Sequence, residues 1–351
     1  MNRILRSADD LLAAGLVSDA EAEALQAVLT RYAVSVTPDM AELIDPEAAD
    51  DPIARQFLPS PQECVTEPEE RADPIGDGAH SPVTGIVHRY PDRVLLKPLH
   101  VCPVYCRFCF RREMVGPNGL GTLSDADLEE ALAYIARDAR IWEVVLTGGD
   151  PFALSSRRLG SIAARLASIE HVRVMRIHTR VPVVKPDLVG ADLVEALRRF
   201  RGAVFVALHA NHPREFTPDA RAACARLVDA GIPLVSQSVL LRGINDDPAT
   251  LEALMRAFVE NRIKPYYLHQ GDLAPGTGHL RTSVADGQAL MRSLRGRLSG
   301  LAQPTYVLDI PGGHGKVPIG PGYLHEVEDG LRVTDPNGCE HRYPPKRDGD
   351  R

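Results

Sequence analysis

From Arg93 to Asp309 the chain alternates short β-branched runs with amphipathic stretches, and this alternation limits the fold more than any other feature. Strands that alternate with helices form a parallel sheet with right-handed crossovers. An eight-fold barrel would need one or two further units, so we predict an α/β fold built on an incomplete (β/α)6 barrel. The predicted strands span residues 93–99, 143–147, 172–177, 203–208, 232–238, 263–268 and 305–309. The helices predicted between them span residues 124–138, 156–168, 187–200, 217–230, 247–261 and 283–298.

The segment before the barrel has a different character. Residues 8–32 predict two helices, the second opened by a capping box between Ser18 and Glu21. Residues 36–90 are rich in Pro, Asp and Glu, and they predict loops and single turns that wrap over the core, with a short helix after Thr37. We therefore divide the chain into an N-terminal helical and wrapping region (1–90), the barrel (91–310) and a short C-terminal segment (311–351).

A polar or reactive group stands at the end of each predicted strand. Chemistry in parallel barrels gathers where the strands end at their carboxyl edge, so the pattern predicts one shared site. In strand order the groups are a cysteine loop, Gly148-Gly149-Asp150, His178 with Arg180, His209 with Asn211, Gln237, Asp272 and Asp309.

The cysteine loop after the first strand carries Cys102, Cys106 and Cys109 in a C-x3-C-x2-C spacing. This spacing can present three thiolates to one metal centre. A four-iron, four-sulfur cluster normally takes four cysteines, so three would leave one iron open to a small molecule. Two alternatives remain from spacing alone: a zinc site completed by a histidine such as His100, and three buried thiols that only pack.

Composition narrows the classes of protein and partner. The net charge of −7 argues against broad binding of nucleic acid or anionic membranes. No apolar run approaches the roughly 18 residues of a spanning helix, and the start of the chain lacks a signal-peptide core. Three of six cysteines share one loop, which does not suit a disulfide framework. We therefore expect a cytoplasmic protein.

Specific motifs add a family resemblance. The cysteine spacing, with Phe108 before the last cysteine, resembles the radical S-adenosylmethionine (SAM) superfamily. The motifs HRYPDR (88–93), YCRFCFRR (105–112) and PGGHGK (311–316) resemble the lysine 2,3-aminomutase family, over the region from about 45 to 323. The resemblance implies a radical SAM barrel with a 4Fe-4S cluster on the three cysteines, SAM and pyridoxal 5′-phosphate. It also implies an isomerase that moves the α-amino group of L-lysine to the β carbon, fed by an electron-donating reductase or flavodoxin.

Lys316 ends the glycine-rich motif PGGHGK. The motif departs from a nucleotide-binding P-loop because Val317 follows the lysine. A partly desolvated lysine on a flexible loop can instead form a Schiff base. The resemblance implies that Lys316 carries pyridoxal phosphate, with Arg89, Tyr90 and Arg93 beside the cofactor; as an alternative, either arginine could pair with Asp92 on the surface.

The glycine pair Gly148-Gly149 allows backbone to approach a ligand closely, although a simple strand-to-helix turn explains it as well. The resemblance implies that this segment, with Asp150 as its polar neighbour, receives the amino group of SAM. The remaining groups at the strand ends suit hydrogen bonds to a cofactor better than metal ligation. They are His178, Arg180, His209, Asn211 and Gln237.

The charged residues expected at the site indicate which substrate it binds. By resemblance, Arg111 binds the α-carboxylate, and Asp272 and Asp309 bind the distant ammonium group. Two carboxylates that converge in a cleft repel each other unless a cation lies between them, so a substrate with two amino groups is favoured. Relatives that act on glutamate lack this acidic pair, whereas an arginine substrate would satisfy it.

The resemblance covers two branches that differ in assembly and pathway. The longer branch has zinc-binding cysteines that help build a tetramer, and this chain has only Cys339 in that region, so only a possible homo-oligomer is expected. The shorter branch supplies β-lysine for modifying elongation factor P. Two alternatives to an aminomutase are a radical SAM enzyme of another reaction type and a non-catalytic metal-binding module.

Overall fold

The computed structural model describes residues 3–116, 121–328 and 330–345. The helices are α1 (Ala8–Ala13), α2 (Asp19–Ala24), α3 (Gln26–Arg31), α4 (Pro38–Ala41), α5 (Ala54–Phe57), α6 (Asp125–Arg137), α7 (Ser156–Ala167), α8 (Val181–Val184), α9 (Ala191–Arg198), α10 (Pro218–Asp229), α11 (Pro248–Glu260) and α12 (Val284–Leu294). The strands are β1 (Ile86–Tyr90), β2 (Arg93–Leu99), β3 (Glu143–Gly148), β4 (Val174–Thr179), β5 (Ala203–His209), β6 (Leu234–Val239), β7 (Ile263–His269), β8 (Thr305–Ile310), β9 (Gly315–Pro318), β10 (Leu324–Val327), β11 (Gly330–Thr334) and β12 (Glu340–Tyr343).

Strands β1 to β9 form one sheet whose spatial order follows the chain order. From β2 to β8 each strand pairs in parallel with the next, with helical segments in every connection. The antiparallel strands β1 and β9 occupy the two edges, and within the described residues the sheet does not close. Six strand–helix units followed by β8 confirm the predicted incomplete (β/α)6 barrel.

The helices cover the outer face of this sheet with apolar side chains. Ile135 of α6 and Ile162 of α7 are fully buried, as is Val144 of β3, and all three belong to one continuous core. Burying each such side chain contributes about 1.5–3 kcal/mol, so the contacts between the helices and the sheet stabilise the barrel. The polar groups at the strand ends are left for chemistry.

Residues 8–32 form three short helices where two were predicted. The capping box between Ser18 and Glu21 is present and starts α2, but this helix ends at Ala24 and α3 begins at Gln26. The helix expected after Thr37 is α4. Strand β1, inside the segment predicted to wrap, joins the barrel sheet instead of forming a loop.

The C-terminal segment has more structure than a short tail. Strands β10 to β12 form an antiparallel three-stranded sheet of their own. Residues 346–351 of the predicted C-terminal segment lie outside the described residues. In the described part of the chain, no helix combines the length and the apolar character needed to cross a membrane.

Candidate active site

The cysteine loop follows β2 and is held from outside by the N-terminal region. The Ser35 hydroxyl donates to the Pro103 carbonyl at 2.7 Å, and the Tyr105 amide donates to the Ser35 carbonyl at 3.0 Å. The Arg107 amide donates to the Gln56 carbonyl at 2.8 Å. The N-terminal region is therefore hydrogen-bonded to the loop that carries the thiols.

A buried ion cluster strengthens this attachment. Glu63, which is fully buried, accepts hydrogen bonds from Arg107 Nε at 2.9 Å and Nη2 at 2.5 Å, and its carboxylate also contacts Arg112. The Arg112 guanidinium lies 3.6 Å from the centre of the Tyr32 ring. Burial raises the pKa of Glu63, but the two guanidinium groups outweigh burial and lower it overall. Glu63 is thus ionised, and its ion pairs with Arg107 and Arg112 attach the N-terminal region to the cysteine loop.

The three thiols are partly buried neighbours on this loop. Burial raises the pKa of Cys109 to about 11, helped by the charge of Cys106, and it raises the pKa of Cys102 well above its usual range. Thiolates at these positions need compensating positive charge, which a metal centre supplies. Among the residues that the structure describes, no three His, Cys, Asp or Glu side chains are already arranged around one metal position. The three thiols therefore lie on one loop but do not surround a common point.

Arg180, just after β4, reaches the cysteine loop. Its Nη1 donates to Cys106 Sγ at 3.0 Å, and its Nη2 donates to Gln56 Oε1 at 2.5 Å and to Glu215 Oε2 at 2.7 Å. Arg180 was predicted to contact a cofactor, and the structure places it against one of the predicted cluster ligands.

Gly148 and Gly149 are required by close packing of backbone on the cysteine loop. A Cβ on Gly149 would lie 2.3 Å from the Val101 carbonyl oxygen, and a Cβ on Gly148 would lie 2.6 Å from the Leu99 carbonyl oxygen. The Gly149 amide donates to that same Leu99 oxygen at 2.7 Å. The glycine pair therefore sets the position of the loop from the inner side.

Asp150 is buried, and its carboxylate is occupied by protein donors. It accepts from the Thr179 hydroxyl at 2.6 Å, from the Arg180 amide at 2.7 Å and from the Phe152 amide at 3.0 Å. Burial raises its pKa, which these hydrogen bonds oppose. In this structure Asp150 joins the ends of β3 and β4.

His178 and His209 stand at the ends of β4 and β5, and each has an Nε2 atom that is buried without a hydrogen-bond partner in the described part of the chain. Burial lowers the pKa of both well below the ordinary value, so both imidazoles are neutral near pH 7. Gln237 of β6 pairs with His209 in register. The side chain of Asn211, in contrast, has protein partners: its Nδ2 donates to Gln56 Oε1, and its Oδ1 accepts from the Val239 amide.

Lys316 lies in edge strand β9. In the order of the strands, β9 is at the other end of the sheet from β2, which precedes the cysteine loop. Its ammonium contacts the Asp309 carboxylate and lies 3.2 Å from His269 Nδ1, while its amide donates to the Tyr90 hydroxyl at 2.8 Å. The prediction of a flexible loop was wrong, because β9 pairs antiparallel with β8 and places Lys316 directly across from Asp309.

The two aspartates differ in their surroundings. Burial opposes ionisation of Asp309, but the hydrogen bond with His269 and the charge of Lys316 prevail and lower its pKa strongly. Burial and the nearby charge of Asp309 raise the pKa of Asp272 to about 7. The pair is therefore asymmetric, since Asp309 already has a cation beside it.

Arg111 and Arg89 share one buried carboxylate, Asp77. Arg111 donates to Asp77 Oδ2 from Nη2 at 2.9 Å, and Arg89 Nη2 lies 3.3 Å from Asp77 Oδ1. Arg93 pairs with Asp92 at 2.7 Å, the alternative weighed for it, and its guanidinium also stacks 3.8 Å from the centre of the Tyr90 ring.

Several side chains at this site carried no recognised signal in the sequence. Glu63 and Asp77 lie in the irregular wrapping segment, where no periodicity points inward. His269 could have been found, because it ends β7 as the other site residues end their strands. The residues missed are Gln56, Glu63, Asp77, Glu215 and His269.

Comparison with known proteins identifies relatives of this chain. The family model described as the Radical SAM superfamily matches residues 96–254, and the model described as Lysine-2,3-aminomutase matches residues 291–332. The L-lysine 2,3-aminomutase of Fusobacterium nucleatum is 40% identical over 320 residues, which are 91% of this chain and 75% of that protein. The L-lysine 2,3-aminomutase of Bacillus subtilis is 36% identical, covering 98% of this chain and 73% of that protein. The glutamate 2,3-aminomutase of Clostridioides difficile is 38% identical, covering 87% and 71%.

The barrel with a three-cysteine loop defines a radical SAM enzyme. Within that class, the chain belongs to the lysine 2,3-aminomutase family. It is an isomerase that transfers an amino group within its substrate, and its cofactors are a 4Fe-4S cluster, SAM and pyridoxal phosphate.

The residues present fit these cofactors. Three thiols on one loop, with a guanidinium donor on Cys106 Sγ, suit a negatively charged iron–sulfur cluster. The unpartnered Nε2 atoms of His178 and His209 offer hydrogen-bonding capacity to a polar cofactor. The partly buried amine of Lys316 suits attachment of an aldehyde.

Proposed function

We propose that the substrate is L-lysine, and that the enzyme moves its α-amino group to the β carbon. The observation that carries this proposal is the acidic pair Asp272 and Asp309, which already attracts the ammonium of Lys316. A glutamate side chain would bring a third carboxylate to this position, and the repulsion would be strong in a partly buried site.

The opposite charge needed for the substrate's carboxylate is available on Arg111. Its guanidinium is buried, and its Nε and Nη2 atoms both donate to the single oxygen Asp77 Oδ2, so further donors of the planar fork are available to a second carboxylate. The charges of Arg111 and Asp77 both act on the pKa of Asp272, as expected of groups that lie near one another. A zwitterion with a second ammonium at the far end matches this arrangement.

We also assign residues to each of the three cofactors. We assign the cluster to Cys102, Cys106 and Cys109, and pyridoxal phosphate to Lys316 with Arg89, Tyr90 and Arg93 beside it. We assign contacts with SAM to the glycine segment 148–150 and to the groups at the ends of the next strands, namely His178, Arg180, His209, Asn211 and Gln237. When bound, the cluster with SAM supplies radical chemistry at an unactivated carbon, and pyridoxal phosphate supplies the carrier for the migrating nitrogen.

The protein's own task is positioning. Asp272 and Asp309 would hold the distal ammonium and Arg111 the carboxylate, so the two ends of the substrate are fixed by opposite charges. Misplacement of the substrate by about 1 Å costs on the order of 100-fold in rate, so a substrate of different length is a poor one.

The test is an anaerobic assay of the protein with reconstituted cluster, pyridoxal phosphate, SAM, dithionite and isotope-labelled L-lysine. We expect β-lysine by chiral mass spectrometry, and no β-isomer from L-glutamate. L-Arginine is assayed in parallel because it also carries a distal cation. Formation of 5′-deoxyadenosine without β-lysine would show that the radical machinery works and that L-lysine is not the substrate.

Two further proposals concern the enzyme's setting. A one-electron reductase or flavodoxin donates an electron to the cluster, since an iron–sulfur centre of this class works in its reduced form. We place the enzyme in the cytoplasm because six free cysteines suit a reducing compartment. Supply of β-lysine for modification of elongation factor P stays a prediction.

A further inference from the structure

The contact between Arg180 and Cys106 has a role beyond holding the loop. We propose that Arg180 sets the reduction potential of the cluster through its hydrogen bond to the Cys106 sulfur, and that Gln56 and Glu215 are the positioning residues that aim it. The inference rests on the proposed role of Cys106 as a cluster ligand, but not on the identity of the amino-acid substrate.

The geometry of the guanidinium divides its donors between sulfur and protein. Arg180 Nη1 donates to Cys106 Sγ at 3.0 Å, while Nη2 is taken up by Gln56 Oε1 at 2.5 Å and Glu215 Oε2 at 2.7 Å. The planar fork cannot turn without breaking these bonds together.

The two residues that aim Arg180 are themselves fixed. Glu215 is fully buried, and its other oxygen accepts from the amides of Asn211 at 2.8 Å and His212 at 2.9 Å. The Gln56 side chain donates to the Pro52 carbonyl at 3.1 Å and is fully buried. The donor on the sulfur is therefore held by the N-terminal region and by the loop after β5.

Two aromatic rings lie beside the guanidinium. It lies 4.6 Å from the centre of the Phe57 ring and 5.4 Å from the centre of the Phe108 ring, and Phe108 belongs to the cysteine loop itself. The Arg180 side chain is buried, and a buried environment of low dielectric constant strengthens a charge-assisted hydrogen bond.

A donor on a cluster sulfur favours the reduced state. The reduced cluster carries one more negative charge than the oxidised cluster, and hydrogen bonds to the sulfurs together with the net charge nearby set the potential. Removing the donor lowers the potential and makes reduction harder. Removing the negative charge of Glu215 while keeping the arginine acts in the opposite direction.

The experiment is a redox titration of the reconstituted holoenzyme followed by the electron paramagnetic resonance signal of the reduced cluster. Arg180→Gln is expected to lower the reduced-to-oxidised ratio about tenfold at a fixed solution potential, which is about 59 mV for a one-electron couple. Glu215→Gln is expected to raise that ratio, because its amide oxygen can still accept from Arg180 Nη2 and only the negative charge is lost. Gln56→Leu removes an accepting oxygen without changing the charge and is expected to lower the ratio. Arg198→Gln, whose guanidinium pairs with Glu195 on the exposed face of α9, is the matched control and should not change it.

Two results would overturn the proposal: equal midpoints for the parent and Arg180→Gln, or equal midpoints for the parent and Gln56→Leu. If Arg180→Gln fails to hold a cluster, Arg180→Lys and Gln56→Leu decide between these outcomes. Because the titration needs no amino-acid substrate, its failure leaves the lysine proposal standing, and absence of β-lysine leaves the potential measurement valid.

Discussion

Lys316 lies directly across the antiparallel β8–β9 pair from Asp309, and its ammonium contacts the Asp309 carboxylate. The lysine proposed to carry pyridoxal phosphate therefore occupies part of the subsite proposed for the substrate's distal ammonium. The lysine nitrogen would no longer compete for this subsite when it holds pyridoxal phosphate.

Lys316→Met should strengthen binding of L-lysine to protein that lacks pyridoxal phosphate. Removing the competing ammonium leaves both carboxylates available, and a tenfold gain in affinity corresponds to about 1.4 kcal/mol. Equilibrium dialysis with labelled L-lysine measures the change. Lys316→Arg keeps a cation and serves as the control, and equal affinity in the two variants would contradict the competition.

Lys316→Ala should leave the iron content and the cluster spectrum of the holoenzyme unchanged, because the lysine lies on β9 and contacts Asp309 and His269 rather than the cysteine loop. We expect loss of the absorbance of bound pyridoxal phosphate and loss of β-lysine formation. Turnover retained in this variant would remove Lys316 from its proposed role.

Binding of L-lysine should strengthen as pH rises through about 7. The raised pKa of Asp272 means that its carboxyl group is neutral below that pH and negatively charged above it, whereas a lysine ammonium stays charged up to about pH 10. Dissociation constants of the parent protein without pyridoxal phosphate at pH 6 to 8 measure the effect, since the charge of Lys316 contributes to the pKa of Asp272. Asp272→Asn should bind more weakly and lose most of this dependence; an equally steep profile in that variant would assign the titration to another group.

Glu63→Gln should destabilise the protein by about 3–5 kcal/mol, since it leaves Arg107 and Arg112 buried without their charge partner. Urea unfolding of the cluster-free protein measures the loss. Glu195→Gln breaks an exposed pair with Arg198 and should cost about 1 kcal/mol or less. Equal losses in the two variants would show that the buried cluster does not stabilise the fold.

Gly149→Ala should lower the amount of cluster that can be reconstituted. The new Cβ would lie 2.3 Å from the Val101 carbonyl oxygen, so the cysteine loop must move. Gly190→Ala is a suitable control because a Cβ there meets nothing within 4 Å. Iron and sulfide analysis after anaerobic reconstitution compares them, and full iron content in Gly149→Ala would refute the packing argument.

The sequence alone determined the order of the strands, the cysteine loop and the polar groups at the strand ends. These features are local, because spacing and periodicity are properties of neighbouring residues. The limits of an element are less local: the strand expected at residues 172–177 is β4, Val174–Thr179, because pairing with β3 and β5 sets where it begins and ends.

Only the tertiary structure decided which charges meet. Glu63 reaches Arg107 across 44 residues, and Asp77 reaches Arg111 across 34, from a segment without inward periodicity. The same holds for Lys316, which was expected on a flexible loop and is held in β9 opposite Asp309 by antiparallel pairing. Buried ions must find partners wherever the fold brings them, and that requirement acts through space and leaves no pattern along the chain.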